Sequence, residues 1–275
     1  MKATFLKAAI VALAAAAPAA QAAPEVATRL VSALAAVAPG GTLDLAIEQT
    51  LAPGWHTYWR NPGDSGEALS MEWKLPAGAE AAALAWPVPA RFATGPVMTY
   101  GYKGKVTFLT RVSVPSDWPV GRPFEVAVDI YALICSDICI PVETSLTLAV
   151  PTAAKAEPAE AVVPLFVLAR RQIPGECPWQ PSVRSTEGGM RLQLAGGAGA
   201  FAGVGNAYFF AETWGVVKHA GVQNAEVTDR TLVLDLPGGQ VPFGGELSGV
   251  VSLRAASGAN PTPGACRIEA RALGQ

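Results

Sequence analysis

The sequence predicts an all-β protein made of two β-sandwich domains. Its 275 residues are enough for two domains, each large enough to bury its own core. Hydrophobic residues make up 51% and charged residues 15% of the chain, which excludes both a disordered protein and a coiled coil. The 28 Gly and 23 Pro residues divide the chain into short segments, a pattern typical of strands joined by turns.

The first 22 residues are predicted to be a signal peptide. Lys2 and Lys7 precede an apolar stretch at residues 8–17, and Ala-Gln-Ala at 20–22 fits the small-x-small rule for signal peptidase. An N-terminal anchor helix is the alternative, but the stretch is short and consists mostly of Ala. No later apolar run approaches about 18 residues, so we expect a periplasmic protein with no membrane span of its own. That compartment permits disulfides.

Residues 23–151 are predicted to form the first domain, an immunoglobulin-like sandwich by its strand spacing. Leucine and isoleucine alternate with other residues over 43–48, as expected of a strand with one buried face. Residues 106–114 and 124–130 have the composition of two further strands. The Asn-Pro-Gly-Asp cluster at 61–64 predicts a turn between strands. Several short strands at this spacing favour a sandwich.

Residues 152–164 are predicted to be a linker, and residues 165–275 a second β-sandwich domain. The linker is rich in Ala, Glu, Val and Pro. A short helix is expected over residues 164–171, because Pro stands near its start and two Arg residues stand at its end. The strand pattern then resumes at residues 190–194, 231–236 and 247–253.

The charge pattern excludes nucleic acid as a partner. The chain has 20 Lys and Arg residues against 22 Asp and Glu residues, a formal charge of −2, and no block of like charge. Proteins that bind nucleic acid concentrate basic residues on one face or segment. We therefore expect no nucleic-acid partner.

Four cysteines allow three disulfide pairings, and the sequence alone does not choose among them. Pairing Cys135 with Cys139 and Cys177 with Cys266 is favoured because each bridge then stays within one predicted domain. In the loop-entropy model the first bridge closes five residues and constrains the unfolded chain by about 2 kcal/mol. The second closes 90 residues, for about 4.6 kcal/mol. The long bridge is therefore predicted to be structural.

The short bridge is predicted to be redox-active. Two cysteines four positions apart can form and break their bridge with little rearrangement, as dithiol exchange requires. Asp137 lies between them, and its carboxylate disfavours a thiolate and so favours electron donation. The alternatives are a structural clip and a Cu(I) site on Cys135 and Cys139 completed by Met98 or His56. Zinc-ligand spacing is missing from the sequence, and we predict neither a bound metal nor an organic cofactor.

Two other signals are interpreted as ordinary structure. Residues 63–66, Gly-Asp-Ser-Gly, are similar to the nucleophile segment of trypsin-like proteases, but His56 is the only upstream histidine and lies nine residues before Ser65. We therefore predict a turn there. His219 is interpreted as a polar loop residue.

Taken together, four segments resemble the periplasmic N-terminal region of the DsbD/ScsB thiol:disulfide interchange proteins. The ScsB (suppressor of copper sensitivity) branch is the closer match. The resemblance covers residues 27–150 strongly and 165–275 only by general layout. The segments that carry it are residues 54–66 (GWHTYWRNPGDSG), 86–89 (WPVP), 100–104 (YGYKG) and 135–141 (CSDICIP).

The resemblance implies an immunoglobulin-like domain that acts as a thiol:disulfide oxidoreductase. Such a domain takes electrons from a membrane-embedded DsbD/CcdA-like reductase domain and passes them to periplasmic thioredoxin-like proteins. Cys135 and Cys139 match the redox pair of the family, and their three-residue spacer is ScsB-like. A non-catalytic binding or assembly module, copper-related and with structural disulfides, is the alternative function.

The resemblance also implies which side chains surround the cysteines. Tyr100 and Tyr102 align with the cap loop of the family, whose aromatic ring shields the pair, and either could be that ring. His56 and Tyr58 align with aromatic positions close to the pair. The family continues into a multi-span membrane domain and a thioredoxin-like domain, whereas this sequence ends at Gln275. We expect either that the membrane reductase is a separate polypeptide or that this protein is a free-standing relative of the family with an altered use.

Overall fold

The computed structural model describes residues 26–256 and 264–272. The predicted signal peptide, residues 1–22, lies outside the described residues. The strands of the first half are β1 (Val26–Ser32), β2 (Leu34–Ala36), β3 (Thr42–Leu51), β4 (His56–Gly63), β5 (Ser70–Lys74), β6 (Ala90–Thr94), β7 (Val97–Lys103), β8 (Lys105–Ser113), β9 (Phe124–Cys135), β10 (Cys139–Val150) and β11 (Glu157–Pro158).

The second half begins with helical structure and continues as strands. A 3-10 turn (Glu160–Val162) leads into helix α1 (Val163–Gln172). No helix in residues 26–256 and 264–272 is long and apolar enough to cross a membrane. The strands that follow are β12 (Gly175–Glu176), β13 (Gln180–Thr186), β14 (Gly189–Ala195), β15 (Val204–Ala211), β16 (Asn224–Val227), β17 (Thr231–Pro237), β18 (Glu246–Ala255) and β19 (Ala265–Arg271).

Two antiparallel sheets form the first sandwich. One has the order β1-β3-β8, and the other has the order β10-β9-β4-β7-β6, with β5 also paired to β9. Alternate residues of β9, beginning with Phe124, Val126 and Val128, are fully buried in clusters that both sheets share. This two-residue period is what a strand with one face on the core requires.

The second sandwich is built in the same way. Its sheets have the orders β12-β19-β18-β15 and β13-β14-β17-β16, and they enclose their own apolar core. Cys266 of β19 is fully buried in that core and forms a disulfide with Cys177, just after β12. The prediction of an all-β fold with two sandwiches is confirmed.

The segment predicted as a linker runs along the first sandwich. The N–H group of Ala153 donates to the carbonyl of Val37 at 3.1 Å, and β11 pairs with β2. At the far end of α1, the Arg170 guanidinium donates to the Asp44 carboxylate at 2.8 Å. Residues 152–164 therefore pack on the first half, and the division of the chain at this segment stays a prediction.

A buried aromatic cluster joins the two sandwiches. Phe210 of β15 packs edge-on against Tyr100 of β7, with ring centroids 5.1 Å apart, and against Trp59 of β4 at 6.1 Å. Tyr208, two residues along β15, lies in the same cluster. Aromatic pairs of this kind stabilise by about 0.5–1.5 kcal/mol beyond the area they bury. The cluster therefore ties the second sandwich directly to the sheet that contains β4.

The turn predicted at residues 61–64 begins later than expected. Asn61 and Gly63 are buried and still belong to β4, after an irregularity in its pairing with β7. The Asn61 amide donates to the carbonyl of Ala211 at 2.8 Å, and the Trp214 indole donates to the carbonyl of Gly63 at 2.8 Å. Both hydrogen-bonding partners come from the second sandwich, so the local sequence does not indicate that β4 continues to Gly63.

Candidate redox site

Cys135 and Cys139 lie at the end of a β-hairpin. Cys135 is the last residue of β9, Cys139 is the first residue of β10, and the two are directly opposite each other with Cα atoms 4.1 Å apart. The N–H group of Ser136 donates to the carbonyl of Ile138 at 2.9 Å and closes the turn. Opposed residues of paired strands place their side chains on the same face. The register thus brings the two sulfur atoms together, and they form a disulfide.

The two cysteines differ in exposure. Cys135 is only 1% exposed, whereas Cys139 is an exposed residue. Beside it, Ile138 is 41% exposed. Thiol–disulfide exchange needs access to the sulfur that is attacked. In such an exchange an incoming thiolate would reach Cys139 more readily, and Cys135 would be the leaving sulfur.

A tyrosine hydroxyl contacts the buried sulfur. Tyr58 Oη donates to Cys135 Sγ at 2.7 Å and lies 3.6 Å from Cys139 Sγ. Burial raises the pKa of Tyr58, so its hydroxyl stays protonated and available as a donor. A hydrogen bond to a thiolate stabilises the charged form. The contact can therefore stabilise Cys135 as it leaves the disulfide.

His56 stands beside the tyrosine on the same face of β4. It pairs with Cys135 on one side and with Lys103 on the other. Its ring packs at 5.3 Å from the Tyr58 ring. Burial, followed by the positive charge of Lys103, lowers the pKa of His56. A neutral imidazole at neutral pH therefore borders the disulfide.

Phe92 packs beside His56 and was not identified from the sequence. It belongs to β6, and its ring lies 5.6 Å from the His56 ring. The ammonium group of Lys103 lies 4.5 Å from the centre of the Phe92 ring. The pairing of β6 with β7 sets this position, and the sequence pattern around Phe92 does not indicate such a strand.

The structure does not bring Tyr100 or Tyr102 to the cysteines, contrary to the expectation of a cap. Tyr102 Oη donates to the carbonyl of Pro87 at 2.7 Å, and the Tyr100 and Tyr208 hydroxyls share a hydrogen bond of 2.7 Å. Both side chains are buried, which raises their pKa values. Gly101 pairs with Tyr58, whose side chain faces the disulfide. Its sequence neighbours Tyr100 and Tyr102 therefore point to the opposite face of the sheet.

Residues 63–66 are here called the glycine loop, and its last residue lies against the ring of Tyr58. Gly66 has a φ of +96° and stands so close that a methyl group on it would overlap the Tyr58 ring. Ser65 Oγ lies 3.4 Å from Thr99 Oγ1 of β7. The predicted bend is therefore a cover for the tyrosine that contacts Cys135.

Three predicted features remain: Asp137, a metal site and the second disulfide. Asp137 is exposed in the hairpin turn, and its effect on the thiolate stays a prediction. Among residues 26–256 and 264–272, no three His, Cys, Asp or Glu side chains cluster as a metal ion would require. The second bridge, from Cys177 to Cys266, lies in the core of the other sandwich.

Comparison with known proteins agrees with this architecture. Residues 27–151 match the family described as "Thiol:disulfide interchange protein DsbD, N-terminal". The N-terminal periplasmic domain of ScsB from Proteus mirabilis is 20% identical, with a TM-score of 0.63 over 90% of this chain and 92% of that one. It shows that the fold is shared across both sandwiches.

Other similarities are more distant. The 35 kDa C-terminal fragment of the major pilin GBS80 of Streptococcus agalactiae is 9% identical, with a TM-score of 0.28 over 89% of this chain and 90% of that one. No match to this chain was found among curated proteins.

Proposed function

From the match of residues 27–151 to the DsbD N-terminal family, we propose that the chain is a periplasmic thiol:disulfide oxidoreductase that relays electrons through Cys135 and Cys139. One observation carries the proposal. The disulfide joins an exposed sulfur-bearing residue to a buried one whose sulfur accepts a hydrogen bond from Tyr58. This is the arrangement that directs attack to one sulfur and stabilises the other as it leaves.

The reduction of the module takes two steps. A thiolate of the electron donor attacks Cys139 Sγ, the bond between the two sulfurs breaks, and Cys135 leaves as a thiolate beside the Tyr58 hydroxyl. The second thiolate of the donor then attacks the donor's own sulfur in the mixed disulfide. Cys139 is released as a thiolate, which takes up a proton from solvent, and the donor leaves as a disulfide. The module has gained two electrons.

The transfer onward repeats the chemistry in reverse. Cys139 first releases its proton to solvent, and its thiolate then attacks the disulfide of an acceptor. A mixed disulfide forms, and one acceptor sulfur leaves as a thiolate. The Cys135 thiolate then attacks Cys139 Sγ, re-forms the bridge and releases the second acceptor sulfur. The acceptor is reduced by two electrons, and the module returns to its oxidised form.

The proposed donor is a membrane-embedded DsbD/CcdA-like reductase domain, and the proposed acceptors are periplasmic thioredoxin-like proteins. The exposed apolar side chain of Ile138, next to Cys139, offers a contact at the point of attack. A thioredoxin-like partner has to bring its own thiol to this end of the hairpin.

Trapping the mixed disulfide tests the proposal. In Cys135→Ala, Cys139 is exposed and has lost its resolving partner, so we expect it to hold a thioredoxin-like protein in a band that reductant removes. Cys139→Ala leaves a buried cysteine and should trap far less. If both variants fold and neither forms a mixed disulfide, the chain is a non-catalytic binding or assembly module with structural bridges.

A further inference from the structure

We propose that His219 of the second sandwich is a positioning residue for the disulfide, a role that rests on the proposed function. Through Asp64 it holds the glycine loop against the Tyr58 ring, and so keeps the Tyr58 hydroxyl on Cys135 Sγ. The second sandwich would then contribute to the redox reactivity of the first.

The first contact joins the two sandwiches. His219 was interpreted as a polar loop residue, but it is only 3% exposed, and its Nδ1–H donates to Asp64 Oδ1 at 2.9 Å. Its ring packs against Tyr100 at 5.5 Å and Trp214 at 6.1 Å. Within the described residues, Nε2 is buried and has no hydrogen-bond partner. Asp64 thus receives the ring's one hydrogen bond, and breaking it would leave a buried donor unsatisfied.

The second contact fixes the start of the glycine loop. Asp64 Oδ2 accepts from the N–H group of Met98 at 2.7 Å, and the N–H group of Asp64 donates to the Met98 carbonyl at 2.8 Å. The Trp214 indole also holds the carbonyl of Gly63 at 2.8 Å. Asp64 therefore sits between β7 and His219, and each of its carboxylate oxygens is used.

The third contact carries the loop to the redox site. Two residues after Asp64, Gly66 lies on the Tyr58 ring with no room for a methyl group. The Tyr58 ring atoms that Gly66 faces include the carbon bearing the hydroxyl, and this hydroxyl donates to Cys135 Sγ. If the loop moves away, the ring is free to turn and the hydroxyl leaves the sulfur. An unbroken series of contacts thus joins His219 to Cys135. Such a series is a physical basis on which a distant residue can modulate a site.

The direction of the effect follows from the exposure of the two cysteines. Cys139, the sulfur under attack, is already exposed, so loosening the loop adds little access there. Losing the hydroxyl at Cys135 raises the pKa of the leaving thiol, and a poorer leaving group slows exchange. Disturbing His219 should therefore slow reduction of the disulfide.

The test is the rate at which dithiothreitol reduces the Cys135–Cys139 bridge in the full chain, followed by alkylation and mass spectrometry. We expect His219→Ala to slow reduction by about 3- to 30-fold, the range for residues that act through packed neighbours. His219→Asn should stay near the wild-type rate, because its amide nitrogen can take the place of Nδ1. Asp64→Ala breaks the same contact from the first sandwich and should slow reduction as His219→Ala does.

Two controls separate positioning from a general loss of stability. Arg191→Gln breaks the ion pair with Asp235, 2.6 Å long, elsewhere in the second sandwich, and should leave the rate unchanged. In a Tyr58→Phe background, His219→Ala should have no further effect, because the hydroxyl it positions is gone. Wild-type rates in folded His219→Ala and Asp64→Ala, or equal slowing in the Tyr58→Phe background, would overturn the inference. Dithiothreitol needs no partner protein, so failure to trap a partner would overturn the proposed relay and leave this result standing.

Discussion

The hydroxyl of Tyr58 lies 2.7 Å from the sulfur of Cys135, the buried member of the disulfide. The two residues are 77 positions apart in sequence and meet because β4 and β9 are neighbours in one sheet. In the proposed exchange the two sulfurs have different roles, because Cys139 is open to attack and Cys135 is hydrogen-bonded as it leaves.

Removing the hydroxyl should slow exchange without disturbing the fold. Hydrogen bonds to charged groups contribute about 1.5–3 kcal/mol, so Tyr58→Phe should lower the rate of reduction by dithiothreitol roughly tenfold or more. Tyr131→Phe, a half-buried tyrosine of β9, is the matched control and should keep the wild-type rate. Equal rates for Tyr58→Phe and the wild type would show that the contact has no part in the chemistry.

The two disulfides should differ in their contribution to stability. Cys177→Ser opens a 90-residue loop and leaves the buried Cys266 without its partner. We expect a loss of about 2–5 kcal/mol in the free energy of unfolding, measured by urea denaturation. Cys139→Ser opens a five-residue loop and should lose much less. Comparable losses would contradict the assignment of one bridge to structure and the other to exchange.

Stability should depend on pH through His56. Burial and Lys103 hold its pKa in the folded protein below the ordinary 6.5. As the pH falls below about 6.5, the unfolded chain takes up this proton first, so stability falls until the folded His56 is itself protonated. We expect His56→Gln to lose less stability than the wild type between pH 7.5 and pH 5, in urea denaturation at both values. An identical pH dependence would show that His56 does not titrate in this way.

Tyr102 should matter for stability and not for reactivity. Its buried hydroxyl donates to the carbonyl of Pro87, and Tyr102→Phe leaves that carbonyl without this donor, at a cost of about 1–3 kcal/mol. Tyr102→Ala removes the ring as well, and the alkylation rate of the reduced Cys135/Cys139 pair should stay the same in it. A clear rise in that rate in a folded variant would restore Tyr102 as a cap over the cysteines.

The strands and the cysteine hairpin could be predicted from the sequence because their determinants are local. Residues 124–130 alternate in polarity, and β9 has that period in the structure. The short spacing between Cys135 and Cys139 allows a hairpin to place them opposite each other. In both cases the neighbours in sequence are also the neighbours in space.

The cover of the site could not be predicted because it depends on register and on the other sandwich. Whether Tyr100 and Tyr102 face the cysteines is decided by which β4 residue lies opposite Gly101, and a shift of one position would reverse the answer. His219 is 155 positions from Asp64, and nothing in its local sequence indicates burial. Each of these features needs the assembled fold.

The reduction potential of the Cys135–Cys139 bridge tests the central claim most directly. It is measured by equilibrating the full chain with glutathione redox buffers and counting the alkylated cysteines by mass spectrometry, with the Cys177–Cys266 bridge as an internal reference. An exchanging disulfide should equilibrate near roughly −200 mV, within reach of thioredoxin-like partners, while the reference stays oxidised. A potential below about −300 mV, like that of structural disulfides in secreted proteins, would contradict the account.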